Sequence, residues 1–213
     1  MQALALAESY DTKRMLAVDV GCGEGFLEPT LAKYYRCVYA VDVEKYYTER
    51  CARLKRELGL ANVVVANNRG KRLCQIVRGK ASTVFCLETL EHTDPKSLLQ
   101  ETAEILSPHG VLVFSVPLEI GPSLLFKEIG SKLFGRHRDP LRLGELLRAA
   151  LLWDVSGIER ASHRGFDWRV LLREAEKLFR VREVVFEPLP FLGPLLNRGG
   201  CCGCFSKVIR KPY

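Results

Sequence analysis

An apolar run from Leu16 to Val20 passes directly into three glycines at alternate positions, Gly21, Gly23 and Gly25. This junction limits what the chain can fold into more than any other segment. A strand that turns at once into a helix needs a residue at positive φ, and a ligand lying against the turn needs backbone without a Cβ. Glycine meets both needs. The spacing departs from the G-x-G-x-x-G turn of dinucleotide sites: the third glycine comes one residue early, and an acid, Asp19, stands two residues before the first. Both departures point away from a nicotinamide dinucleotide.

Downstream, short apolar runs alternate with helical periodicity. Strands are expected at 16–20, 38–42, 63–66, 83–87, 111–116 and 181–186, with a seventh at 205–209. Helices are expected at 26–35, 46–58, 95–106 and 167–179, with a short one carrying Leu73, Ile76 and Val77. Gly59 stops the second of these helices, and Pro95 opens the helix after Leu90-Glu91-His92 with Asp94 as its cap. Repeated βα units imply a parallel sheet covered on both faces. Ligands of such sheets lie beyond the carboxyl ends of the strands, where the strand order reverses.

Between residues 118 and 162 the pattern changes. Leu125, Phe126, Ile129 and Leu133 recur at helical spacing, as do Leu143, Leu146, Leu147, Leu151 and Leu152, interleaved with Lys127, Lys132, Arg136, Arg138, Arg142 and Arg148. A basic helical insertion after strand five is expected. It can serve as a substrate lid, lie on anionic lipid, or pack as a hairpin on the sheet edge. Charge sharpens the contrast: residues 1–126 balance 15 basic against 15 acidic side chains, and residues 127–213 hold 17 against 10, which is the whole net charge of +7. An anionic acceptor, an anionic membrane surface or nucleic acid would suit that half, and so would a solvated Arg/Lys face.

At 213 residues and 47% hydrophobic content the chain is expected to form one domain, 1–213, with a full core. No targeting segment or membrane span is visible, so a cytoplasmic location is expected. Cys37, Cys51, Cys74 and Cys86 fall within predicted elements and are read as small hydrophobes. Cys201, Cys202 and Cys204 offer at most three thiolates with no second pair, so no metal site is expected.

Four segments stand in a familiar order: Val18 to Gly25, Ala40 to Val43, Val84 to His92, and Leu106 to Gly110 followed by Val111 to Pro117. Over residues 15–117 the chain resembles the class I S-adenosylmethionine-dependent methyltransferases. The resemblance implies an α/β, Rossmann-like, seven-stranded and mostly parallel sheet with helices on both faces, strand seven running antiparallel beside strand six. It implies S-adenosylmethionine as the cofactor. The backbone of Gly21, Cys22 and Gly23 would approach the cofactor's amino acid part, and Asp19 would help hold its ammonium group. Gly25 and Phe26 in the same turn count among the cofactor contacts. Asp42 would accept from both ribose hydroxyls, since a carboxylate offers the two acceptors a vicinal diol requires. Val43 would pack on the adenine. Asn67 and Asn68 stand where the family often has an acid that reads the adenine amino group. Leu87 and Glu88 would line the methionine end.

Catalytic candidates are Glu91, His92 and His163, because an acceptor that arrives protonated needs a base and histidine titrates near neutral pH. His109 and His137 are read as a turn residue and a solvated residue. The expected activity is methyl transfer to a small-molecule or lipid-like acceptor. Methylation of RNA or another macromolecule is a second class, and a non-catalytic cofactor-binding partner a third. The Asn/Asp-Pro-Pro-aromatic motif of amino-group nucleic-acid enzymes is absent after strand four, where Glu88-Thr89-Leu90-Glu91 stands.

Overall fold

The computed structural model describes residues 2–11, 13–122, 124–125, 141–158, 165–186 and 200–207, the last span as backbone. Its strands are β1 (Leu16–Val20), β2 (Cys37–Asp42), β3 (Val63–Asn67), β4 (Ala81–Leu87), β5 (Leu106–Pro117), β6 (Phe179–Phe186) and β7 (Gly200–Lys207). The helices are α1 (Gln2–Tyr10), α2 (Glu28–Tyr34), α3 (Lys45–Glu57), α4 (Leu73–Ile76), α5 (Pro95–Ile105), α6 (Leu143–Leu147) and α7 (Trp168–Glu176). The strands run in the order β3-β2-β1-β4-β5-β7-β6. β1 to β5 pair in parallel, and β7 is antiparallel to both β5 and β6. The chain therefore has the expected α/β Rossmann-like architecture.

All five residues of β1 are buried, and their alternation splits the interior in two. On one face Val18 and Val20 join Val84, Leu112 and Phe114 beneath Leu99 and Ile105 of α5 and Leu171 and Ala175 of α7. On the other, Ala17 joins Ala40, Phe85 and Val113 beneath Leu6 and Ala7 of α1, Leu31 of α2 and Cys51 of α3. Asp19, two residues beyond Ala17, follows Ala17 onto this second face. The strand order reverses between β2 and β4 on either side of β1, so the crevice opens where β1 and β4 end.

The structure departs from the expected elements at several points. α1 has no counterpart among them; it forms because Leu6 and Ala7 find a buried seat, and Asp11 behind it accepts from Thr83 Oγ1 at 2.7 Å. α2 begins at Glu28, which leaves Phe26 in the turn. β5 starts at Leu106, five residues early: Leu106 pairs with Ala81, a register shift takes up residues 107–110 within the strand, and pairing resumes at Thr83 with Val111. β7 covers 200–207, so the Cys201-Cys202-Gly203-Cys204 run falls in a strand. Asp94 caps α5 as expected, accepting from Ser97 N at 3.3 Å.

Between β5 and α7, α6 continues through a π-helical turn, Arg148–Leu152, and ends at Trp153 with φ 56°. Leu124, Ala149 and Ile158 form a small cluster with Leu141, Leu146 and Val155, separate from both sheet clusters. The first expected repeat (Phe126, Ile129, Leu133), its basic residues Lys127 to Arg138, and both His137 and His163 lie outside the described residues.

Candidate active site

The glycine turn is clamped to the end of β2. Gly21 N and Cys22 N both donate to Val41 O, at 2.8 and 3.1 Å, and Gly25 N closes the turn onto Cys22 O at 3.1 Å. Gly21, Gly23 and Gly25 all have positive φ, each for its own reason. A Cβ on Gly21 would stand 2.3 Å from Thr89 Oγ1, and one on Gly25 would stand 2.8 Å from Cys51 Sγ. A Cβ on Gly23 would meet nothing within 4 Å. Gly23 is thus the glycine whose bare backbone faces open space, and the other two admit a neighbouring side chain.

Asp42 is buried at the tip of β2. Its Oδ2 accepts from Gly23 N at 3.0 Å and its Oδ1 from Glu44 N at 2.8 Å, so each oxygen keeps one lone pair for a further donor. Val43 beside it is half exposed. Of the two asparagines, Asn67 is occupied: Nδ2 donates to the carbonyls of Asp42 and Val43, both at 3.0 Å, and Oδ1 accepts from Arg69 N at 3.2 Å. Asn68 Oδ1, in contrast, is sheltered from solvent with no hydrogen-bond partner among the described residues. These groups fit an adenosine: a carboxylate for a diol, an apolar wall, and an unsatisfied acceptor for an exocyclic amine.

Past Leu87 the backbone turns sharply. Glu88 has φ 51°, an uncommon conformation for a side-chain-bearing residue that must be held by its surroundings. Ser115 of β5 holds it: Glu88 N donates to Ser115 O at 3.0 Å, and Ser115 Oγ donates to Glu88 Oε1 at 2.8 Å. Thr89 Oγ1 lies 3.0 Å from the carbonyls of both Val20 and Leu87, tying the end of β4 to the glycine turn. Glu91 is buried in the 3-10 turn Leu90–His92, and its Oε1 lies 3.8 Å from Nε2 of the exposed His92. Burial raises the Glu91 carboxyl to about 7; its own backbone amide opposes the rise and the Glu88 charge adds to it.

The crevice thus gathers most of the residues expected there from four strand ends. Two stand differently. Phe26 is 79% exposed on the turn. Asp19 is 4% exposed and lies under the turn, where burial first and the Glu28 carboxylate second push its carboxyl well above the usual range. Thr89 and Ser115, which position the turn and Glu88, escaped sequence reasoning. Their partners lie 69 and 27 residues away, so no local pattern marks them.

Residues 18–114 match the model of a methyltransferase domain. That match takes in just under half of the chain, which over these residues is similar to the S-adenosylmethionine-dependent methyltransferases. It is 32% identical over 131 residues to the ubiquinone biosynthesis O-methyltransferase of Bordetella avium, covering 60% of this chain and 52% of that one. It is 28% identical over 177 residues to the enzyme of that name from Hahella chejuensis, covering 76% and 69%. The chain spans about half the length of the first curated relatives it matches. Among solved structures, a SAM-dependent methyltransferase from Aquifex aeolicus superposes with a TM-score of 0.62 at 18% identity, over 97% of this chain and 89% of that one. An rRNA methylase from Streptococcus thermophilus superposes with 0.56 at 17%, over 98% and 95%. Enzymes with different acceptors share the fold, so the fold does not choose the acceptor.

Proposed function

We propose that this chain is a methyltransferase that uses S-adenosylmethionine to methylate a hydroxyl oxygen of a small-molecule or lipid-like acceptor. The observation that carries the reading is the Glu91–His92 pair, 3.8 Å apart in the turn that follows β4, next to the glycine turn of β1. The names of the curated relatives, O-methyltransferases of ubiquinone biosynthesis, support an oxygen acceptor. Asp42, Val43, Asn68 and the backbone of Gly23 would hold the cofactor, with Leu87 and Glu88 toward its methionine end. When bound, the cofactor supplies an electrophilic methyl group on a sulfonium.

A hydroxyl attacks such a carbon well only as it loses its proton. Glu91, raised to about 7, has the proton affinity of a base working near neutral pH, and His92 beside it gives the proton a route to solvent. The remaining demand is alignment, which contributes on the order of 7–11 kcal/mol in favourable cases. The insertion supplies it in this proposal: its described part carries its own apolar cluster and Arg142 and Arg148, and a lid of that kind suits an anionic acceptor. Incubating the purified protein with methyl-labelled cofactor and parallel panels of phenolic small molecules and total RNA tests the reading. Label on a phenolic oxygen, lost on deleting residues 123–153 while cofactor affinity holds, is the expected result. Label on RNA alone would overturn it.

A further inference from the structure

Under the glycine turn lies a second cluster that methyl transfer does not use. Ligand-type atoms of Cys22, Glu28 and Cys51 lie within 4.8 Å of one another, and all three residues are buried, Glu28 and Cys51 at 1% exposure each. Three separate elements bring them together: the turn supplies Cys22, the first residue of α2 supplies Glu28, and α3 supplies Cys51. Asp19 follows Ala17 onto the same face, covered by α2 and α3, and lies beside this set of three. The missing side chain of Gly25 makes the gathering possible, since any Cβ there would collide with Cys51 Sγ at 2.8 Å.

A second observation points to a ligand. Both oxygens of Glu28 are closed off from solvent and have no hydrogen bond of regular geometry among the described residues. An acid at the first residue of a helix normally faces water, and buried carboxylates are normally paired or bound to a metal. Among the described residues no basic side chain hydrogen-bonds to Glu28.

We infer that Cys22, Glu28 and Cys51 bind a divalent cation of the zinc class and so pin the glycine turn to α2 and α3. Two thiolates and a carboxylate form a donor set that zinc takes, with a water in the fourth position. On binding, the ion displaces the two thiol protons and the Glu28 acid proton to solvent, and no bond within the protein is broken. The inference does not depend on the identity of the methyl acceptor.

The test is a Co²⁺ titration of the full chain, purified with chelator and a phosphine reductant and then freed of both. The expected result is a thiolate-to-cobalt charge-transfer band that saturates at one equivalent and disappears when Zn²⁺ is added. Cys51→Ala and Glu28→Gln should each weaken binding by at least about tenfold. Replacing Cys201, Cys202 and Cys204 together with serine should leave the band intact. A folded wild-type chain without the band, or a band that survives Cys51→Ala and vanishes in the triple variant, overturns the inference. Circular dichroism establishes that each variant is folded, and Glu28→Gln, which conserves volume, decides the matter if Cys51→Ala does not fold.

Discussion

The amide of Gly23 donates to Asp42 Oδ2 at 3.0 Å, so the residue whose backbone faces the crevice and the acid at the tip of β2 form one unit. With Oδ1 engaged by Glu44 N, the carboxylate stands fixed in one orientation before any ligand arrives. A preset carboxylate spares the cost of ordering it on binding.

Asp42→Ala is expected to abolish measurable S-adenosylmethionine binding in isothermal titration. Leaving the Gly23 and Glu44 amides unpaired should also lower stability by about 1–3 kcal/mol. Unchanged cofactor affinity in a folded Asp42→Ala protein would contradict the site assignment.

Gly21→Ala should be severe, because the new methyl meets Thr89 Oγ1 and the residue keeps φ at 78°. Positive φ alone costs about 1–3 kcal/mol. Adding Thr89→Ala should recover part of the loss in urea denaturation by removing the collision, with the backbone term remaining. A double variant no more stable than Gly21→Ala would show that the contact does not matter.

Glu91 predicts a pH dependence of defined sign. Its folded pKa of about 7 lies above the usual 4.5, so between those values the unfolded chain releases a proton that the folded chain keeps. Stability from this group is therefore full below pH 4.5 and falls as pH rises to about 7. Glu91→Gln should be more stable than the parent at pH 8, by on the order of 2–3 kcal/mol, and no more stable at pH 4. If Glu91 is the base, the same variant loses turnover while binding cofactor normally. Matching stability–pH curves for the two proteins would refute the assignment.

Arg169 links α7 to the end of the α6 segment at Trp153. It forms a fork with Asp167, Nε to Oδ1 at 3.0 Å and Nη2 to Oδ2 at 2.8 Å, donates to Trp153 O at 2.6 Å, and stands 5.7 Å above the Trp153 ring. That ring in turn covers Gly121, where a Cβ would stand 3.0 Å from it. Arg169→Met keeps the stem and loses the fork. It should cut kcat/KM for the acceptor by about tenfold through misplacement of the insertion, with cofactor affinity unchanged. Equal losses in both would place Arg169 in the general scaffold.

Much of this was legible in the chain. The strand-glycine junction at Val20–Gly21, the Asp94 cap before Pro95 and the acid at the end of β2 are local patterns, each determined by neighbours a few residues away. α1 was not legible, because Gln2–Tyr10 carries no start signal and is held by Leu6, Ala7 and Asp11 packing on distant β4 and β5 neighbours. The early start of β5 was hidden because Ser107-Pro108-His109-Gly110 reads locally as a turn, and only pairing with Ala81 extends the strand past it.

The sequence by itself determined the βα alternation that follows β1 and the ligand-bearing turn, since alternation, capping and positive-φ glycines act over short range; the class of cofactor came from the resemblance of four ordered segments to a family. Tertiary structure decided which face each acid serves. By resemblance both Asp42 and Asp19 are expected at the cofactor, one at its ribose and one at its ammonium group. The pleat of β1 and the approach of α3 to Gly25 turn Asp19 inward toward Glu28 and Cys51, and the end of β2 leaves Asp42 at the crevice. That choice rests on contacts between elements far apart in the chain, to which local periodicity is blind.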